Sequence, residues 1–286
     1  MPVQQNLWDN EALETGYRCL NALEWEAAIR QFNEALQGGI GETGSVQKLI
    51  TASQYWQARI QHAPGTQVHS VATASLSQHI AGLLADYSHF SFTPQMLGFK
   101  KALLGHIVDL LHHEADMNLN DMETAFDLLL GIDDFQTAED LISHGIKQHP
   151  EKRLLLYLLA QAQWLNGNRS DASMNYVKSL FYHPDKAMDN RIENKKLKEL
   201  IRSCGPAMAP AYGWLRNVLP FVPPADEIPV CDEEHHKAIK SYRLLREANR
   251  SMNNNDMKSC IQYRKQLKAL APELYDEYFN LLKQRK

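Results

Sequence analysis

The chain has 286 residues, 44% of them hydrophobic and 22% charged, with a formal net charge of −4 and a pI near 6.3. That composition is ordinary for a soluble protein with ample core material, and the lack of a basic excess argues against nucleic acid as a partner. The four cysteines (Cys19, Cys204, Cys231, Cys260) are scattered, form no C-x-x-C, and read as free thiols in a reducing compartment. The N-terminal MPVQQNLWDN has neither a basic start nor an apolar run, and the longest apolar run, Leu154 to Ala160, is far short of a membrane span. A soluble cytoplasmic protein is expected, with no signal peptide and no membrane segment.

Residues 9–42 read as a pair of helices. Gly16 is small where the two would cross, Ala28 is small at the facing point, and Trp25, Phe32 and Ala35 fill the space around that contact. Gly38-Gly39-Ile40-Gly41 then ends the pair. Three helices follow. Residues 45–62 stop before the breaker Ala63-Pro64-Gly65. Residues 66–89 carry Val68, Val71, Leu76, Ile80, Leu83, Leu84 and Tyr87 at helical spacing. The third starts at Thr93-Pro94, an N-cap followed by Pro at the first helical position, and runs to about Asp116 with Phe99, Leu103, Ile107 and Leu110 on one face.

Two segments of equal length then lie head to tail over residues 119–186. Ala138 and Ala172 are 34 residues apart, and so are Pro150 and Pro184. Ile142 and Tyr176 each follow their Ala by four residues. Phe126 stands where Ala160, in the second segment, supplies a small residue, which predicts a wider or tilted crossing in the first. Gly167-Asn168 makes a turn. Residues 187–204 read as a further helix ended by Cys204-Gly205-Pro206. Residues 205–232 hold six of the twelve prolines yet also Tyr212, Trp214, Leu215, Val218, Leu219 and Phe221, so this stretch is expected to pack on the helices with a short helix near 209–219. Over 241–274 the earlier pattern returns in Ala248, Asn255, Met257, Cys260 and Pro272, with Arg264 in the large apolar slot. Pro272–Lys286 reads as a final helix with a cationic, solvent-facing end.

The 34-residue spacing with its skeleton of Ala, large residue and Pro resembles the tetratricopeptide repeat, a helix–turn–helix unit of that period. The resemblance is clearest at 9–42 and 119–186 and degenerate at 241–274. It implies an all-α solenoid of right-handed stacked helix pairs. The intervals of 110 residues from Ala28 to Ala138 and 88 from Ala172 to Cys260 make the array interrupted, and leave residues 43–118 as degenerate repeats or an inserted bundle. The expected regions are 1–118 with one repeat unit, 119–204 with the tandem units and a following helix, the Pro-rich 205–232, and 233–286 with the last repeat and a cap helix.

Proteins of that family bind extended peptides or helices on a concave face lined by the first helix of each unit. Carried over, the resemblance implies a groove with Asn120, Glu123 and Asp127 as one wall, Tyr157, Gln161 and Trp164 as the floor, and Arg191, Lys195 and Lys198 as the other wall. The occupant would be another protein. The Lys and Asn pair by which some members clamp a C-terminal carboxylate has no counterpart here. The alternatives are a homodimer through the aromatic stretch 206–224 and, below that, a nucleic-acid-binding repeat using the basic residues of 191–202. No cofactor or metal is expected. His106, Asp109, His113 and Asp116 share one helical stripe, from which a single ion could recruit only two. His235-His236 reads as a polar helix start and His79 as a core histidine. Without G-x-S-x-G, a phosphate-binding Gly loop or a kinase signature, an enzyme is not expected.

Overall fold

The computed structural model describes residues 5–61, 73–113, 118–148, 155–184, 192–223, 228 and 230–284. All regular structure among them is helical: fourteen α-helices and one 3-10 turn. The chain divides into two compact units between Thr137 and Ala138.

One backbone device, seen also at Gly39 and Asn217, forms the connection in four helix pairs. α1 (Gln5–Asn21) is followed by α2 (Trp25–Gln37), α6 (Leu119–Leu130) by α7 (Phe135–Gln148), α8 (Leu155–Leu165) by α9 (Arg169–Tyr182), and α12 (Glu233–Asn253) by α13 (Met257–Leu270). In each connection one residue takes a left-handed conformation: Leu23, Asp133, Gly167 and Asn255, with φ of 58°, 57°, 89° and 58°. Its N–H donates to the carbonyl three residues back and the next N–H to the carbonyl five back, as in Leu23 to Leu20 and Glu24 to Cys19, or Asn255 to Met252 and Asp256 to Ser251. This pairing satisfies carbonyls that a helix end otherwise leaves orphaned. Gly, Asn and Asp accept the conformation readily, whereas at Leu23 the Cβ costs roughly 1–2 kcal/mol. Five residues beyond the left-handed residue stands Ala28, Ala138, Ala172 or Cys260, each with 0% exposure. The small-residue slot read from the sequence is therefore one structural position.

The first unit continues with α3 (Thr43–Gln61), α4 (Thr73–His89), the 3-10 turn Pro94–Met96 and α5 (Leu97–His113) before α6. α2 packs on α1 and α3, α5 on α1 and α4, and α6 on α4 and α5. Gly16 has the role expected of it: a Cβ there would lie 2.5 Å from the Phe32 ring. The core is aromatic-rich, with Trp56, Tyr87, Phe32, Phe99 and Phe126 all fully buried. α4 is described from Thr73, so Val68 and Val71 lie outside the described residues. Thr93 makes no side-chain cap bond, and Pro94 opens a 3-10 turn rather than the α-helix, which begins at Leu97. The fixed φ of proline suits either geometry.

In the second unit, after α9, come α10 (Lys195–Cys204) and α11 (Ala209–Leu215), and α14 (Pro272–Gln284) follows α13. The helix expected over 187–204 begins only at Lys195: Ile192–Asn194 are non-helical, and the Asn194 side chain caps the helix by accepting from the Leu197 N–H. The Pro-rich stretch supplies the hub. α11 is only seven residues long yet packs on α9, α10, α12 and α14. Gly213 allows the approach, since a Cβ there would meet Leu219 at 2.7 Å and Leu200 at 3.0 Å. The chain after α11 is tied to α12 by Tyr242, whose hydroxyl donates to the Val222 carbonyl (3.0 Å) and accepts from its N–H (3.1 Å). Phe221 lies flat on the Tyr242 ring, with an interplanar angle of 1°. Much of the aromatic stretch proposed as a dimer surface is thus spent on internal packing.

Candidate functional site

Asn120, Glu123 and Asp127 share one face of α6 in the first unit, Asn120 and Asp127 exposed and Glu123 half-buried. That face is set by the N-cap Asn118, whose Oδ1 accepts from the Asn120 N–H at 2.9 Å. Lys195 is exposed and Lys198 half-buried on α10 of the second unit. Arg191 lies outside the described residues. The expected floor is different in kind. Tyr157 and Gln161 are each 6% exposed, and Tyr157 packs edge-on to Tyr176 at 6.4 Å, so little of either is left for a partner to touch. Trp164 is half-buried, with the Arg169 guanidinium over its ring at 5.4 Å. The cause is the composition of α8: its sequence is apolar nearly all round, and such a helix is buried on most faces.

A polar cluster that the sequence reading passed over lies beside this layer. The Glu139 carboxylate of α7 accepts from Gln163 Nε2 (3.2 Å), Asn166 Nδ2 (3.0 Å) and Asn168 Nδ2 (3.3 Å). Gln163 Oε1 in turn accepts from Asn175 Nδ2 at 2.8 Å. Gln163 and Asn175 are buried, and each makes a complementary bond there, as buried amides must. The bonds join α7 to α8, α9 and the turn between them. Only a structural register could have revealed it, because Gln and Asn inside helices carry no spacing signal.

His235 also departs from expectation. It is 1% exposed rather than part of a polar helix start. Its Nδ1 accepts from the Cys231 N–H (3.2 Å), which leaves Nε2 to donate to the Phe181 carbonyl (2.9 Å). It pins the start of α12 to the end of α9. Asp232 caps α12, accepting from the His235 N–H at 2.7 Å. On α5, His113 Nδ1 donates to its own helix at the Asp109 carbonyl (2.6 Å), and Asp116 lies outside the described residues. Among the described residues no three His, Cys, Asp or Glu side chains converge as a metal site would require. His79 and His106 interact electrostatically, and burial lowers the pKa of both.

Hollows among the described residues are further candidates, three of them as follows. In the first unit a groove of about 530 Å³ lies between α3 and residues 90–96, floored by Ala52, Tyr55, Phe90 and Met96. In the second unit a cavity of about 640 Å³ is bordered by Cys204, Tyr212, Glu234, Lys237 and Glu273 and by the two-pronged Arg216–Glu277 pair, at 2.7 and 2.8 Å. Burial pushes the Cys204 thiol up to about 11, so it stays protonated at neutral pH and is a poor nucleophile. A smaller hollow of about 340 Å³ lies between Trp214, Phe221 and the Arg246–Asn253 face of α12. Comparison of the chain with family models, with curated proteins and with solved structures gave no match.

Proposed function

We propose that the chain is a non-enzymatic scaffold, a helical repeat protein of tetratricopeptide type that acts in the cytoplasm by holding a segment of a partner protein. The observation that carries this reading is the fourfold recurrence of one turn with one buried small residue five positions later, at Ala28, Ala138, Ala172 and Cys260. A repeated supersecondary unit with an invariant internal register is what a stacked array needs, because each unit must offer its neighbour the same close-packing surface. A scaffold also suits the chemistry described above: charged helix faces, and a cavity thiol held in its unreactive form.

The polar face of α6 on the first unit and the basic face of α10 on the second are each taken as a contact for a partner. The test is affinity capture from the native cell extract with the full chain and with two charge-reversed variants, Glu123→Lys and Lys195→Glu, each checked for unchanged helicity. Loss of the same captured protein from both variants is expected. Identical sets from all three chains would sink the reading of those two faces.

A further inference from the structure

The groove of the first unit has the dimensions and chemistry of a receptor for a helix. Its α3 side runs from Gly44 past Lys48 and Thr51 to Tyr55, one stripe of the helix. Eleven rises separate Gly44 from Tyr55, about 16 Å or three helical turns. Gly44 leaves one end open, with nothing within 4 Å of where a Cβ would stand. Tyr55 is 41% exposed, an unusual position for a large aromatic beside an apolar hollow.

The floor is continuous with the aromatic core of the unit. Tyr55 stacks on Phe90 with ring centroids 6.3 Å apart, and Phe90 continues through Phe92 (4.8 Å) and Phe99 (5.9 Å) to Trp25 (5.8 Å), inside the unit. A partner therefore orders few side chains of this protein on docking.

Hydrogen bonding selects the form of the occupant. α3 has its own backbone groups paired, and at the rim Thr51 Oγ1 already donates to the Gln47 carbonyl at 2.9 Å. An extended peptide laid on this floor would bury N–H and C=O groups without partners, which is unfavourable. A helix satisfies those groups itself. Charge selects its sequence. Among the described residues Lys48 is the sole acidic or basic side chain bordering the groove. It is exposed and carries no ion pair or hydrogen bond among the described residues. The acid nearest in sequence, Glu42, lies beyond the end of the groove and accepts from Ser45 Oγ at 3.1 Å.

We infer that this groove receives an amphipathic helix of a partner protein, with apolar residues at i, i+4 and i+7 and an Asp or Glu placed to meet Lys48. A second copy of the chain fits poorly: its exposed apolar pair on a helix, Met257 and Ile261 of α13, is flanked by Lys258 and Lys265, which would face Lys48 with like charge. The inference rests on the scaffold reading only in taking a protein as the partner; the surface is separate from α6 and α10.

The test uses the full chain and fluorescence anisotropy with a labelled model helix of about 14 residues, three to four turns. The helix carries Leu at i, i+4, i+7 and i+11 and one Glu beside the stripe. Comparison peptides replace that Glu by Lys or place Pro at the centre. The Glu peptide should bind roughly fivefold more tightly than the Lys peptide, the scale of a surface charge reversal. Lys48→Glu should invert that order, and Thr51→Trp, at an exposed rim position, should abolish binding with helicity unchanged. Equal binding of the Pro-broken peptide, or a charge preference that ignores Lys48, would overturn the inference. So would self-association of the wild type, seen by sedimentation and lost in Thr51→Trp, because a second copy would then be the occupant. If the Glu123 and Lys195 variants lose their partner while Thr51→Trp binds the model helix normally, the groove falls and the scaffold stands. If helix binding follows Lys48 and Thr51 while those variants keep every partner, the groove stands and the reading of α6 and α10 falls.

Discussion

Replacing Glu139 by alanine should destabilise the second unit by about 1.5–4 kcal/mol. The magnitude follows from where its three bonds end. Asn168 is exposed, so water replaces the lost acceptor at little cost. Asn166 is half-buried, and its lost bond should contribute about 0.5–1 kcal/mol. Gln163 is only 7% exposed, and its Nε2 would be left without an acceptor in the interior, which costs about 1–3 kcal/mol. For a unit of this size the melting transition should fall by roughly 5–15 °C. Calorimetry on Glu139→Ala, Gln163→Ala and the double variant would test the reasoning. Removing Gln163 orphans Asn175 in both backgrounds, so that contribution cancels, and the double variant should be less damaged than the sum by about 1–2 kcal/mol. Additivity to within about 0.5 kcal/mol would refute the claim that the cost is that of an orphaned buried amide.

Two glycines should respond to alanine with opposite sign. At Gly16 the new methyl meets the Phe32 ring at 2.5 Å, and overpacking of about 1–3 kcal/mol outweighs a helix-propensity gain of about 1 kcal/mol, so chemical denaturation should show a net loss. At Gly105, within α5, nothing lies within 4 Å and the same change should stabilise by about 0.5–1 kcal/mol. Asp121 is 9% exposed, its Oδ2 has no hydrogen-bond partner among the described residues, and burial raises its carboxyl above the ordinary carboxylate value. A raised folded pKa means the charged form is disfavoured in the fold, so Asp121→Asn should raise the melting temperature at neutral pH, with the gain vanishing below the unfolded value. At His79 and His106 burial is the main cause of a lowered pKa, reinforced at His79 by Arg59 and His106 and opposed at His106 by Asp109. The unfolded chain then binds more protons, so stability should fall as pH drops through 6.5 and level off below the folded values. His79→Leu should remove part of that acid sensitivity, measured as the slope of unfolding free energy against pH.

Helix positions were legible where the chain carries strong local signals. Gly38-Gly39-Ile40-Gly41 marked the end of α2, and Gly167-Asn168 marked the α8–α9 turn. The left-handed Leu23 was not legible, because no local preference predicts it; the packing of α1 on α2 holds it there. Among site residues, the exposed face of α6 followed from its period, whereas Tyr157 and Gln161 look like groove residues in a helical projection and are buried. A projection gives the angle around a helix and not the identity of the neighbour that covers it.

By itself the sequence determined the all-helical class, the helix–turn–helix register and the small-residue slot at Ala28, Ala138, Ala172 and Cys260, because backbone propensity, turn chemistry and close approach act over a few residues. Only the tertiary structure decided that seven residues of a Pro-rich stretch form the hub of the second unit, that Glu139 and His235 tie distant helices together, and that Tyr55 and Phe90 frame a groove beside Lys48. Those features depend on pairs brought together across tens of residues, and their partners are chosen by the free energy of the assembled core rather than by spacing along the chain.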